Sequence, residues 1–140
     1  MTRPASPAKG PFRFRLDASS GVPVYRQLID QVQAGLATGT LAPSDQLPTV
    51  RQVAVDLAIN PNTVLRAYRE LEIRGTLDTQ QGTGTFIADR KIKPDDAERQ
   101  RRLDQLANEF VARAGAGGFT LRELAEALAE RISESERRRK

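Results

Sequence analysis

Apolar residues recur at helical spacing in three segments of the first two-thirds of the chain. Residues 24–38 carry an apolar residue every three or four positions, and Gly39 follows as a natural helix stop. Two shorter stripes follow, one from residue 49 to about 58 and one from 60 to 75, so three helices are predicted. The apolar positions are Tyr25, Leu28, Ile29, Val32 and Leu36, then Val50, Val53, Ala54 and Leu57, then Val64, Ala67, Tyr68 and Leu71.

The second and third helices begin with clear capping signals. Thr49 and Gln52 have the spacing of a capping box, in which each side chain bonds the other residue's backbone amide. Asn60 is a favourable N-cap, and a proline follows at the first helical position. These residues account for the helix start, whereas Asn62 and Thr63 remain at its exposed tip. They serve either as additional caps or as contacts to a ligand.

Two strand-like segments follow the third helix. Residues 76–79 and 84–88 flank the glycine-containing turn QQGTG (80–84), which predicts a β-hairpin. Two helices joined by a tight turn and followed by a hairpin form a winged helix-turn-helix, whose second helix enters the DNA major groove with its N-terminus first. Arg66 and Arg69 lie one turn further along that helix, within reach of the DNA backbone.

Two further helices are predicted beyond a linker at residues 89–96. The first extends from about residue 94 to 114 and ends at GAGG (115–118), and the second begins at a capping box formed by Thr120 and Glu123. Their apolar stripe is either a monomer core or the seam of a homodimer, and we favour the seam because few residues remain to cover it. The seam residues are Leu103, Leu106, Phe110, Leu121, Leu124, Leu128 and Ile132.

The complete prediction is a mainly α protein with a small β-hairpin, a winged helix-turn-helix followed by two C-terminal helices. Residues 1–22, rich in proline and glycine, are expected to be a flexible arm with one short extended segment, FRFRL (12–16). Residues 23–90 form the winged helix-turn-helix. Residues 91–140 form a helical dimerisation region with a frayed basic tail at 136–140.

The composition of the chain argues against several classes of function. The chain has neither cysteine nor histidine, which removes the commonest catalytic bases and metal ligands, so we expect no enzyme, cofactor or metal. The net charge of +4 is divided equally between residues 1–90 and 91–140, so an anionic partner must be bound by local placement of charge. No apolar run is long enough to span a membrane, and we expect a cytoplasmic protein.

Several segments together resemble the GntR family of transcription regulators over about residues 23–88. The resemblance implies a sequence-specific regulator, a repressor in the first instance, that binds double-stranded DNA. The residues that carry it are Tyr25, Gln27 and Leu28, then Gly39 to Leu41, Pro43, LPTVR (47–51), NPNTV (60–64), AYRELE (67–72), Gly75 and GTGTF (82–86).

The family's DNA contacts can be carried over to matching positions. Arg51 corresponds to an arginine that usually contacts DNA in the groove, although it is alternatively a solvated surface residue. Gly82 and Thr83 correspond to the wing tip. The recognition helix supplies Asn60, Asn62, Thr63 and Arg66.

The sequence departs from the family at Ser44, where glycine is usual, near Gln46, where the family is usually basic, and at Thr49, where serine is usual. The often basic wing entry is Gln80-Gln81, which should weaken its phosphate contacts.

The short C-terminal region resembles the YtrA-type subfamily, in which two helices form a homodimer. Such a dimer would bind an inverted-repeat operator, and regulation by a small-molecule effector stays open. One alternative is a non-specific architectural DNA-binding protein, against which the modest charge argues. The other is a protein-interaction module, which the basic and polar face of the third helix opposes.

Overall fold

The computed structural model describes residues 12–89 and 95–139, and the chain divides between residues 90 and 91 into two compact units. The described residues confirm the mainly α fold, a winged helix-turn-helix followed by two helices. The elements are α1 (Val24–Thr38), β1 (Gln46–Leu47), α2 (Val50–Leu57), α3 (Pro61–Ile73), β2 (Leu77–Gln80), β3 (Gly84–Ile87), α4 (Asp96–Ala116) and α5 (Leu121–Arg139).

The core of the first unit lies between α1, α2 and α3. The predicted stripe of α1 supplies Leu28, Ile29 and Val32, which are fully buried against α3. Tyr68 and Leu71 are buried from the other side, as their helical spacing predicted. Removal of apolar surface from water is the main driving force of folding, so the apolar stripes determine which face of each helix packs into the core.

The sheet has one more strand than the predicted hairpin. Strand β3 pairs antiparallel with β2 and also with β1, so the strand order is β1-β3-β2. The two-residue β1 puts Gln46 opposite Phe86 and Leu47 opposite Thr85, and it buries Leu47. A strand this short contains no alternation to detect, so only the pairing with β3 reveals it. It joins the wing to the start of α2.

Residues 12–17, which fall in the predicted flexible arm over residues 1–22, pack against α1 and Tyr68. Phe14 is only 8% exposed, and its ring centroid lies 6.4 Å from that of Tyr68. The side chain of Gln31 on α1 accepts from the Arg15 amide at 2.8 Å and donates to the Arg15 carbonyl at 2.6 Å. The alternating pattern of FRFRL therefore buries one face against the first unit. Residues 1–11 of the predicted arm lie outside the described residues.

The second unit consists of α4 and α5. Helix α4 is capped by Asp95, whose carboxylate accepts from the Ala97 amide, and it ends two residues later than predicted. Helix α5 begins at the expected capping box, with the Thr120 hydroxyl accepting from the Glu123 amide at 3.1 Å. It continues to Arg139, so residues 136–139 are helical where we expected fraying, because glutamate and arginine favour helix. Residue 140 lies outside the described residues.

The turn between α2 and α3 holds Ala58 in the left-handed region, at φ 54° and ψ 48°. A side chain is strained there, so Ala58→Gly is expected to raise the free energy of unfolding by up to about 1 kcal/mol. Ala34→Gly on the exposed side of α1 is the matched control, and it should cost about 1 kcal/mol. Urea unfolding measures both changes, and a destabilised Ala58→Gly variant would contradict the expectation.

Candidate nucleic-acid interface

The start of α2 fixes the position of Arg51. The Thr49 hydroxyl accepts from the Gln52 amide at 3.1 Å, and the Gln52 side-chain oxygen accepts from the Thr49 amide at 2.8 Å. This capping box was predicted from the sequence, and it orders the first turn of the helix. Arg51 lies exposed in that turn and makes no ion pair within residues 12–89 and 95–139. Its guanidinium is therefore available to an external anion.

The polar residues at the start of α3 differ in role: one caps the helix, and two leave their side chains at least partly exposed. The Asn60 side-chain oxygen accepts from the Asn62 amide at 2.8 Å, and the Asn60 carbonyl accepts from the Thr63 amide at 3.0 Å. Asn60 is thus committed to capping through both oxygens, which leaves its side-chain amide nitrogen for any further contact. The side chain of Asn62 is exposed and that of Thr63 partly exposed at the same tip.

The outward face of α3 forms a shallow groove of about 300 Å³, which we call the α3 groove. Of the predicted site residues it brings together Asn62, Arg66 and Arg69. The Arg66 guanidinium carbon lies 3.7 Å from the centroid of the Tyr25 ring, so α1 holds this cation by a cation–π contact. The groove is lined by Asn62, Leu65, Arg66, Arg69, Glu70 and Ile73.

Tyr68 connects the recognition helix to the start of α2. Its hydroxyl donates to the carbonyl of Pro48, the residue before the Thr49 cap. Burial raises the pKa of Tyr68, because the phenolate would lose its hydration, so the hydroxyl remains a donor at neutral pH. This bond ties the position of Arg51 to that of α3.

Tyr68→Phe is expected to lower the free energy of unfolding by about 1–2 kcal/mol, because the Pro48 carbonyl loses its hydrogen-bond partner. The matched control is Tyr25→Phe, since the Tyr25 hydroxyl makes no hydrogen bond within the described parts of the chain. That change should stay within about 0.5 kcal/mol. Equal effects of the two changes in urea unfolding would show that the Tyr68 bond contributes nothing.

The predicted wing contacts lie at an exposed turn between β2 and β3. Gly82 has φ 79°, which allows the turn, and the Thr83 amide donates to the Gln80 carbonyl at 3.0 Å. The side chain of Gln46, on β1, donates to the Thr83 carbonyl at 3.3 Å. Gln46 thereby braces the wing tip.

The apolar residues of α4 and α5 remain largely exposed within their unit. No residue of α4 is buried, and Leu121 and Ile132 on α5 are 61% and 60% exposed. Of the predicted seam residues, Leu124 alone is partly buried. The exposed members are Leu103, Leu106, Phe110, Leu121, Leu128 and Ile132. The unit therefore presents more apolar surface than its own two helices cover.

The described residues contain neither a cluster of metal ligands nor a membrane-spanning helix. Within residues 12–89 and 95–139, no three histidine, cysteine or carboxylate side chains cluster as metal ligands would. None of the helices in the same ranges has the length and hydropathy needed to cross a bilayer.

The chain is similar to known proteins over most of its length. Residues 24–87 match the family model of bacterial regulatory proteins, gntR family. An HTH-type transcriptional regulator of Bacillus subtilis, YhcF, is 36% identical over 109 residues, which span 78% of this chain and 89% of YhcF. The chain belongs to the GntR family. It is therefore a DNA-binding transcription regulator, and GntR regulators are not enzymes.

Two further likenesses place the chain with YtrA-like members of the GntR family. The transcriptional repressor YtrA of Bacillus subtilis is 41% identical over 75 residues, covering 54% of this chain and 58% of YtrA. The solved structure of YtrA from Sulfolobus acidocaldarius, a GntR-family transcription factor, superimposes with a TM-score of 0.52 at 30% identity. It covers 67% of this chain and 97% of that one.

Within this GntR-family chain, two residues beside the predicted contacts were missed. Leu65 lies in the α3 groove but was not among the predicted contacts, and its helical spacing from Asn62 would have identified it. Gln46 reaches the wing tip only through the pairing of β1 with β3, for which the sequence holds no local signal.

Proposed function

We propose that this GntR-family regulator represses transcription by binding an inverted-repeat operator in double-stranded DNA as a homodimer. The observation that carries the proposal is the α3 groove. Polar and basic side chains that take no part in helix capping lie together there on the outward face of α3. It acts in the cytoplasm, where DNA is accessible. The small-molecule effector stays a prediction.

Recognition begins at the tip of α3. Asn62 can bond an adenine edge with both amide atoms, and Thr63 is short enough to approach either bases or phosphate. The positive end of the helix dipole at the same helix start favours a phosphate there. Arg66 and Arg69, further along the helix, supply charge to the DNA backbone, and the Tyr25 ring fixes the direction from which Arg66 approaches. Asn60 contributes mainly by capping.

Arg51 and the wing extend the contact beyond α3. The exposed guanidinium of Arg51 can bond guanine at two atoms, which carries sequence information. Gly82 and Thr83 lie at the tip of a hairpin that Gln46 braces, a geometry suited to the neighbouring minor groove. Because the wing entry carries Gln80 and Gln81, its contribution to phosphate binding should be small.

The homodimer rests on the exposed apolar residues of α4 and α5. Burial of several leucines per protomer in a twofold interface would stabilise a dimer by many kcal/mol, at about 1.5–3 kcal/mol for each fully buried side chain. A twofold dimer matches an inverted repeat, with half-sites about 34 Å apart or a multiple of that distance. Repression then follows from occupation of the promoter.

The test is fluorescence anisotropy on duplex DNA from upstream of the protein's own gene, or on a duplex selected from a random library. The titration is made at two salt concentrations against excess random duplex. Saturable binding that survives the competitor supports the regulator. Binding of every duplex with equal affinity and a steep salt dependence would instead support the architectural alternative.

A further inference from the structure

Leu65 is an apolar side chain on a surface that is otherwise polar. It is partly exposed on α3, and among the described residues it belongs neither to the buried core nor to the half-buried apolar residues packed against that core. Instead it lines the α3 groove. Part of the Leu65 side chain is therefore open to solvent in the α3 groove, outside the buried core.

The neighbours of Leu65 are groups expected to touch DNA. Residues three and four apart on a helix adjoin one another, so Leu65 lies between Asn62 and Arg69 along the groove. Arg66 is held against Tyr25 of α1, and its guanidinium is therefore occupied at the side of the groove. A major-groove base edge facing Asn62 would consequently also face Leu65.

The major groove has one apolar feature, the C5-methyl group of thymine. We propose that Leu65 is a specificity-determining residue that contacts a thymine methyl group in each operator half-site. The inference rests on the proposed function and adds to it the identity of one base. Since the contact is apolar, its contribution is independent of phosphate charge.

The first experiment removes the methyl group from DNA. Every thymine of a selected operator is replaced in turn by deoxyuridine, symmetrically in both half-sites, and the affinity of the full chain is measured by anisotropy. One methyl group withdrawn from an apolar contact should cost about fourfold per half-site. The symmetric change should therefore weaken binding by about tenfold to twentyfold at one operator position.

The second experiment removes the leucine. Leu65→Ala should lose a similar factor on the thymine operator and should no longer distinguish thymine from deoxyuridine at that position. Leu65→Met, which keeps an apolar side chain of similar length, should retain the discrimination. Val55→Ala is the matched control, because Val55 is an apolar residue on α2 that is 72% exposed and lies outside the α3 groove. It should keep the full sensitivity to deoxyuridine.

Salt dependence separates an apolar contact from a phosphate contact. Leu65→Ala should leave the slope of log affinity against log salt unchanged, whereas Arg69→Ala should reduce that slope by about one. Circular dichroism and thermal unfolding establish that each variant is folded. A reduced slope in Leu65→Ala would overturn the assignment.

Two results distinguish this inference from the proposed function. If the wild-type chain selects an operator but no deoxyuridine change weakens binding, or if the weakening persists in Leu65→Ala, the role of Leu65 is refuted and the regulator stands. If the wild-type chain selects no sequence at all, the proposed function and the inference fail together.

Discussion

Replacing Leu124 and Leu128 together by aspartate should make the protein monomeric and lower its operator affinity by about a hundredfold or more. Each leucine transferred from an interface to water costs about 1.5–3 kcal/mol, and twofold symmetry doubles every loss. A carboxylate at the seam costs still more. A dimer that binds both half-sites at once gains about 10²–10⁴ in affinity, and a monomer loses that gain. Sedimentation equilibrium measures the association, and anisotropy measures the affinity.

The matched control carries the same change of two charge units on the opposite side of α5. Ser133→Asp combined with Arg122→Asn alters exposed positions outside the apolar stripe, so the dimer should persist. A dimer that survives Leu124→Asp with Leu128→Asp would place the association elsewhere in the molecule. Loss of the dimer in both double variants would indicate a general effect of charge rather than a seam.

Arg51→Ala should weaken specific binding by about 1–3 kcal/mol, or roughly fivefold to 150-fold, because a bidentate contact to a base would be lost. The free energy of unfolding should change little, since Arg51 is exposed and makes no ion pair in the described part of the chain. Arg51→Lys keeps the charge but not the planar pair of donors. It should therefore recover affinity for random duplex without recovering discrimination against a mutated operator.

Arg74→Ala is the control for the loss of one positive charge. Arg74 follows the C-terminal end of α3, far along the helix from Asn62, and pairs with Glu70 at 3.5 Å. Its removal should leave the operator affinity nearly unchanged. An Arg51→Ala variant with wild-type affinity, or one no weaker than Arg74→Ala, would remove Arg51 from the interface.

Local sequence was sufficient to predict the helices and most of their ends. The extent of α1 follows from an apolar stripe closed by Gly39, and the starts of α2 and α5 follow from capping boxes. The same holds for the cap and proline that begin α3. Each of these signals acts between residues no more than four positions apart. A short segment of the sequence therefore contains both partners of each interaction.

The motifs also predicted the family and the main surface of the site. Asn62 and Thr63 were identified because a helix start requires fewer polar residues than this segment carries. Membership of the GntR family confirms DNA binding, whereas the individual contacts and the dimer seam stay predictions. The spacing of Arg66 and Arg69 from Asn62 placed all three on one helix face, and the α3 groove brings them together.

Tertiary structure alone decided the features that join residues distant in sequence. The pairing of Gln46 with Phe86 creates β1, and the bonds from the Gln31 side chain hold the Arg15 backbone against α1. The contact of Arg66 with Tyr25 likewise links two helices. Periodicity and capping describe neighbours along the chain, whereas these contacts join residues that only the packed fold brings together. The sequence by itself determined the helices and the kind of site. Packing determined which side chains of that site remain exposed to bind DNA.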